Sequence, residues 1–247
     1  MKPNEYGSLC TEMYELLHPE APADEWAFYE SFARKGDRIL EPLCGSGRFL
    51  IPFLKKGFSI RGVDNSGEML GRLKEKAPQA DLVCVDLETY RTADSFDYIL
   101  IPSGSICLFT QMETCKSILS RLKSLLRPEG RLVFAVDTVD SRCPDDPDYK
   151  TDLQVTTEEG YTLLLKTKNT YDPVSRTQYS PGIYELYDGQ RLLRQEAMDF
   201  RTHLYQSGEM EALLAETGFS QVTTYYSFAK DTSPLPGGDT FLFLCRL

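Results

Sequence analysis

The sequence predicts an α/β fold: a mostly parallel sheet with helices on both faces and an antiparallel β insertion before the last helix. Three observations carry this. Strand-like and helix-like runs alternate from residue 26 to residue 136, the pattern that builds parallel βαβ units. Beyond Asp137 the texture changes to strand-like runs separated by Asp172-Pro173 and Asp188-Gly189 turns, which join antiparallel neighbours. One more helix-like run and two strand-like runs follow, with no internal repeat and no low-complexity stretch.

Taken in order, Trp26, Phe28, Tyr29, Phe32 and Ala33 lie at helical spacing, and Gly36 offers a C-cap. The first strand, 38–41, runs into Pro42-Leu-Cys-Gly-Ser-Gly47; a helix over 48–56 closes at Gly57. The second strand, 58–63, ends at Asp64. Asn65, with Glu68 three residues on, resembles a capping box for a helix whose apolar face is Met69, Leu70 and Leu73. The third strand, 82–85, ends at Asp86, and the fourth is 96–101. Ile118, Leu119, Leu122, Leu125 and Leu126 mark an amphipathic helix stopped by Pro128-Glu-Gly130, and 131–136 is the fifth strand. The run 138–152, with Asp140, Asp145, Asp146, Asp148 and Asp152 and two prolines, reads as a solvated loop. Antiparallel strands are expected within 161–170, 182–187 and 191–205. A helix follows at 208–217, stopped by Gly218, then strands near 221–228 and 240–247 across the Pro- and Gly-rich link 233–239.

Composition narrows the function. The 247 residues carry 27 Lys and Arg against 37 Asp and Glu, a net charge of −10, which lacks the clustered cations that phosphate neutralisation needs. Nucleic acid and anionic membrane surfaces are therefore poor partners. The longest uncharged stretch, 98–112, contains Pro102 and Gly104 and falls short of the roughly 20 apolar residues of a membrane span. No apolar run follows the Met-Lys-Pro-Asn-Glu start, so no signal peptide is expected. The seven cysteines are odd in number and lack a CxxC pair, and there are only two histidines. Reduced thiols in a cytoplasm are expected, with no metal site.

The chemistry lies at four strand ends: Glu41-Pro-Leu-Cys-Gly45-Ser-Gly47, Asp64, Asp86-Leu87 and Pro102-Ser103-Gly104-Ser105. Ligands of open parallel sheets bind outside the carboxyl ends of the strands, and an acid about 20 residues beyond a glycine-rich turn suits a ribose diol. Two readings compete. A dinucleotide site wants G-x-G-x-x-G/A, but Leu50 occupies the third small position, and Glu41 would sit beside a pyrophosphate. The G-x-x-x-x-G-K-[ST] phosphate loop is absent.

At these residues the chain resembles class I S-adenosylmethionine (SAM)-dependent methyltransferases. Glu41, Gly45 and Gly47 match their first motif, with Leu43 in place of its first glycine; Asp64 and Asp86 match the acids of the second and third. Leu-Leu-Arg-Pro-Glu-Gly-Arg-Leu-Val at 125–133 resembles the run before strand five, and 201–219 the C-terminal helix region. The resemblance implies a Rossmann-like seven-stranded sheet in one domain, 1–247. Residues 1–36 would form an N-terminal helical lid, and the insertion 150–206 would cover the acceptor side.

It also implies residue roles. Glu41 would hold the methionine ammonium of SAM, and Leu43, Gly45 and Gly47 would form the turn beside it. Asp64 would accept both ribose hydroxyls, and Asn65 and Met69 would flank the adenine. Asp86 would bind the adenine amino group, with the Leu87 amide on a ring nitrogen, while Pro102 and Ser103 would lie under the sulfonium. Methyl transfer to a small-molecule nitrogen or oxygen acceptor, releasing S-adenosylhomocysteine, requires alignment and water exclusion more than an obligatory catalytic group. If a base is needed, His203 is a weak candidate, His18 before Pro19 reads as a turn residue, and Tyr6, Tyr14 and Tyr29 could help form the lid. Cys44 has no neighbouring histidine and is not expected to act as a nucleophile. The alternatives are a non-catalytic SAM-binding regulator and, more distantly, a nicotinamide-dependent oxidoreductase. A monomer or homodimer would serve either enzyme.

Overall fold

The computed structural model describes residues 3–234 and 237–247. Met1 and Lys2, at the start of the expected lid, and Leu235 and Pro236, within the expected link, lie outside the described residues. The elements in chain order are α1 (Ser8–Leu17), α2 (Ala23–Glu30), β1 (Arg38–Pro42), α3 (Leu50–Lys55), β2 (Ser59–Asp64), α4 (Gly67–Lys76), β3 (Asp81–Cys84), β4 (Phe96–Ile101), α5 (Met112–Ser124) and β5 (Leu126–Asp137). There follow β6 (Asp146–Thr156), β7 (Thr162–Asp172), β8 (Thr177–Tyr179), β9 (Gly182–Asp188), β10 (Arg191–Met198), β11 (Arg201–His203), α6 (Glu209–Glu216), β12 (Gln221–Tyr225) and β13 (Thr240–Arg246).

The main sheet has seven strands in the order β12-β13-β5-β4-β1-β2-β3. The five strands β1 to β5 pair in parallel, and β13 runs antiparallel to both β5 and β12. Alternation along the buried strands divides the core. Leu40, Ile99, Ile101, Leu132, Phe134 and Val136 face Ile118, Leu119 and Leu122 of α5 and Leu214 of α6. Their neighbours Ile39, Tyr98, Leu100, Val133 and Ala135 face Phe28 of α2, Phe53 of α3 and Leu73 of α4. Strand order reverses at β1, which lies between β4 and β2, so a crevice opens at the carboxyl ends of these strands.

One charged group lies inside this packing. Arg131 of β5 is 2% exposed; its guanidinium pairs with Asp37, donates to the carbonyls of Phe32 at 2.6 Å and Asp97 at 3.0 Å, and covers the Tyr98 ring at 4.9 Å. It ties β5 and β4 to the segment between α2 and β1.

The second sheet is antiparallel, ordered β10-β9-β7-β8-β11, with β6 paired to β7. Helix α1 packs on it: Leu9, Cys10 and Met13 share a cluster with Leu163, Tyr184, Leu186 and Met198.

Four sequence expectations change. Strand β5 begins at Leu126 rather than 131, because Pro128-Glu-Gly130 forms a bulge against β4 instead of a stop; a Cβ on Gly130 would lie 2.8 Å from the Arg127 carbonyl. The acidic run is a loop only to Asp145; from Asp146 it is β6, an edge strand paired on one side, whose exposed charges fit an edge. The cap of α4 is Ser66, whose Oγ accepts from the Met69 amide, and not Asn65. Gly36 falls in the turn before β1, because α2 has already ended at Glu30.

Candidate functional site

A cavity of about 470 Å³ opens over the switch point. Its walls come from the glycine turn after β1, the ends of β2 and β3, the segment 103–114 after β4, and the N-terminal segment from Pro3 to His18.

Asp64 organises the floor. One carboxylate oxygen accepts from the Gly45 amide at 2.8 Å and the other from the Ser66 amide at 2.9 Å, so one side chain holds both the turn and the start of α4. Burial pushes this acid up from its ordinary value, and the amides that donate to it oppose that rise. Leu43 has φ +59, so it adopts the left-handed conformation that a glycine would reach without strain. Gly45 and Gly47 follow at φ +51 and +88.

The two glycines differ in purpose. A Cβ on Gly45 would meet nothing within 4 Å, whereas one on Gly47 would lie 2.7 Å from Cγ of the buried Leu73. Gly47→Ala is expected to lower stability by about 2–4 kcal/mol through strain and overpacking, and Gly45→Ala by about 1 kcal/mol. Urea denaturation of the two variants checks this difference.

Glu41 sits beneath the turn, 2% exposed, outside the cavity wall, and its Oε2 has no hydrogen-bond partner among the described residues. Burial raises its affinity for a proton well above a normal carboxylate's, against the pull of Arg48 and with the push of Asp64 and Glu25. Of the other expected residues, Leu43, Gly45, Asn65, Met69, Asp86, Leu87 and Ser103 line the cavity with Asp64. The Asp86 carboxylate accepts from the Glu88 amide at 3.0 Å, which fixes the turn after β3. Gly47 and Pro102 are not in the wall; the Pro102 carbonyl instead accepts from the amide and hydroxyl of Ser105.

Ser103 has φ +55, and its amide donates to Glu25 of α2 at 2.7 Å. Its hydroxyl bonds the same carboxylate and accepts from Arg48. Arg48 also covers the rings of Tyr14 and Phe49, at 5.7 and 5.4 Å, and its Nε has no hydrogen-bond partner among the described residues. Arg48 was not among the residues expected at the site; its place directly after Gly47 was the available signal.

The histidines exchange roles. His203 is buried outside the cavity, 2.8 Å from Glu209, which also pairs with Arg176; despite its burial Glu209 is held down to about 2 by these partners. His203 is thus a structural pair member. His18 lines the cavity and packs on Tyr14 at 5.0 Å. Tyr6 and Tyr14 also line it, whereas Tyr29 is buried below, its hydroxyl on the Ile101 carbonyl.

A strap closes the rim. Asn4 donates to the carbonyls of Leu108 and Arg201 and accepts from the Arg201 amide, and the Tyr6 carbonyl accepts from Ser66. Glu196 of β10 accepts from the Leu9 and Cys10 amides at the start of α1.

Asp137 ends β5 beside this site. A Cβ on Gly104 would lie 2.7 Å from both its carboxylate oxygens, and burial followed by Glu25 and Asp239 pushes it up to about 6. The folded chain therefore binds this proton more tightly than the unfolded chain. Stability from this group is present below about pH 4 and is lost as pH rises through about 6. Asp137→Asn is expected to remove that dependence, so wild type loses stability relative to the variant between pH 4.5 and 7 in urea titrations. Cys44 is buried and its thiol is pushed well up by burial, Glu41 and Asp64, which leaves it a poor nucleophile. Among the described residues no cluster of His, Cys, Asp and Glu is placed to hold a metal ion, and no helix is long and apolar enough to cross a membrane.

The seven-strand order with one antiparallel hairpin, the switch-point cavity and an acid at the end of β1, β2 and just after β3 define the class I SAM-dependent methyltransferase fold. Residues 39–130 match the family model described as a methyltransferase domain. A protein of Geobacillus sp. (strain WCH70) named as a methyltransferase is 31% identical over 134 residues, covering 50% of this chain and 54% of its own length. The chain thus spans about half the length of that relative. Glycine/sarcosine N-methyltransferase of Aphanothece halophytica is 24% identical over 240 residues, covering 91% of this chain and 83% of its own. Among solved structures, the sugar N-methyltransferase KedS8 from Streptoalloteichus sp ATCC 53650 superposes with a TM-score of 0.75 at 18% identity, covering 100% of this chain and 98% of that one.

Proposed function

We propose that the chain is a SAM-dependent methyltransferase acting on a nitrogen or oxygen of a small molecule, as a monomer or homodimer in the cytoplasm. The observation that carries this reading is the orphaned Glu41 carboxylate under the glycine turn. A buried acid with an unsatisfied oxygen keeps a proton until a cation arrives to pair with its carboxylate, and SAM brings an ammonium and a sulfonium.

The residues present fit that cofactor. Glu41 receives the ammonium, Asp64 the ribose hydroxyls, Asp86 and Leu87 the adenine edge, with Asn65 and Met69 beside the ring. Arg48 adds what the sequence reading lacked, an unsatisfied guanidinium nitrogen for the methionine carboxylate. When bound, the cofactor supplies a methyl group already activated by sulfonium. The chain aligns the acceptor with it and excludes water, through a lid up to residue 36 and the antiparallel sheet on the acceptor side. The glycine and sarcosine amines of one relative and the sugar amine of the structural neighbour support a small acceptor.

Calorimetry tests the first half: S-adenosylhomocysteine is expected to bind in the micromolar range, and NAD is not. Radiolabelled SAM with glycine, sarcosine and amino sugars tests the second. Binding without turnover on any acceptor would favour a regulatory SAM-binding protein.

A further inference from the structure

His18 stands apart from every other ionisable group of the cavity. It ends α1 as the C-cap, its backbone amide donating to the Tyr14 carbonyl, so its ring position is set by the helix. The imidazole packs at 5.0 Å on the Tyr14 ring, whose other neighbour is the Arg48 guanidinium. Arg48 in turn donates to Ser103, the residue at the expected sulfonium end. All four line the cavity, so the contacts His18, Tyr14, Arg48, Ser103 form a continuous wall that links the imidazole to the β4 turn.

The groups around it decide its protonation. On α1, Tyr14 is itself pushed up by burial, and Glu15 is taken by Lys76 at 2.6 Å. From the glycine turn the positive charge of Arg48 acts on the imidazole, while the charges of Glu25 and Glu41 bear on Tyr14. Burial and then Arg48 hold His18 below the ordinary histidine value. Both effects favour the neutral, basic ring, and among the described residues no side-chain hydrogen bond or ion pair occupies it. His203, by contrast, is committed to Glu209.

We propose that His18 is the proton acceptor for the methyl acceptor, an inference that rests on the methyltransferase reading above. As the acceptor's lone pair bonds to the methyl carbon, the carbon–sulfur bond breaks with its electron pair going to sulfur. The proton that leaves the methylated nitrogen or oxygen passes to an imidazole nitrogen, and from the rim of the cavity to water. A group that accepts a proton from a small molecule needs to be neutral before the reaction and reachable by solvent after it. His18 meets both conditions.

The test uses the full chain and needs no known acceptor. With only two histidines, the two imidazole Cε1–H resonances are resolved by proton NMR, and His18→Asn assigns them. Their titration midpoints are measured free, with SAM and with S-adenosylhomocysteine. The two ligands differ at the sulfur by one methyl and one positive charge. A charge within about 8 Å at an effective dielectric constant near 40 lowers a nearby imidazole midpoint by about half a pH unit or more. The expected result is a His18 midpoint lower with SAM than with S-adenosylhomocysteine by that amount, with His203 unmoved. Equal His18 midpoints with both ligands would place the ring away from the sulfonium and overturn the proposal. Failure of both ligands to bind, read by calorimetry on the same samples, would overturn the methyltransferase reading instead. In turnover, His18→Gln is expected to lower kcat by about 10²–10⁴-fold and to remove the acid limb of its pH profile while S-adenosylhomocysteine affinity stays within threefold. An unchanged pH profile would leave His18 no part in the proton transfer.

Discussion

Asp64→Ala is expected to weaken S-adenosylhomocysteine binding by at least about a hundredfold. The carboxylate would lose two hydrogen bonds from ribose hydroxyls, each worth about 1.5–3 kcal/mol when one partner is charged, and about 1.4 kcal/mol is a factor of ten. The same oxygens hold the Gly45 and Ser66 amides, so alanine also loosens the glycine turn and the start of α4. Asp64→Asn separates the two effects. It keeps one acceptor for the backbone but removes the charge and half the acceptor capacity. Affinity is therefore expected to fall in both variants, and thermal stability mainly in the alanine variant. Calorimetry and thermal melting on the three proteins decide it. Undiminished affinity in Asp64→Ala would remove Asp64 from the cofactor site.

Arg131→Met is expected to be the most destabilising single change in the main sheet. It leaves Asp37 buried without its cation and the Phe32 and Asp97 carbonyls without their donors. Breaking one side of a buried pair costs about 3–5 kcal/mol, a large part of a stability of about 5–15 kcal/mol. For a chain of this size that is a fall in Tm of roughly 10 °C. The double variant Arg131→Met, Asp37→Leu removes the stranded charge and is expected to recover much of the loss. Arg131→Lys is expected to recover little, because one ammonium cannot reproduce the guanidinium fork. A single variant that melts with wild type would show that the pair contributes nothing net.

The parallel half of the fold was legible because its strands are short, apolar and punctuated by residues with one conformational use. Gly47 after β1 marked the turn, and Asp64 at the end of β2 marked the floor of the cavity. The bulge at Pro128-Glu-Gly130 was not legible, since proline and glycine look the same in a strand irregularity as in a stop. Strand β6 was hidden by Asp146, Asp148 and Asp152, whose charge is that of an unpaired edge as much as of a loop. In the site, residues adjacent in sequence to a motif could be read. Tyr6 and Tyr14 were expected at the lid, but the places of Asn4 and His18 in the wall could not be read, because those residues gain meaning only when α1 packs on the inserted sheet. His203 and His18 illustrate the limit: two lone histidines told apart by what folding brings to each, Glu209 with Arg176 to one and the cavity wall beside Tyr14 to the other.

The strap bears on when the cavity comes into being. Asn4 bridges Leu108 and Arg201 across separations of 104 and 197 residues, among the most non-local polar contacts in the chain. The βαβ units between β1 and β5 join neighbours through short connections and can assemble early, whereas contacts of such separation wait for most of the chain to be ordered. The floor of Asp64 and the glycine turn is therefore expected to form before its roof. During synthesis the nascent domain would present an open cofactor shelf, and the closed chamber would be the last part of the molecule to mature.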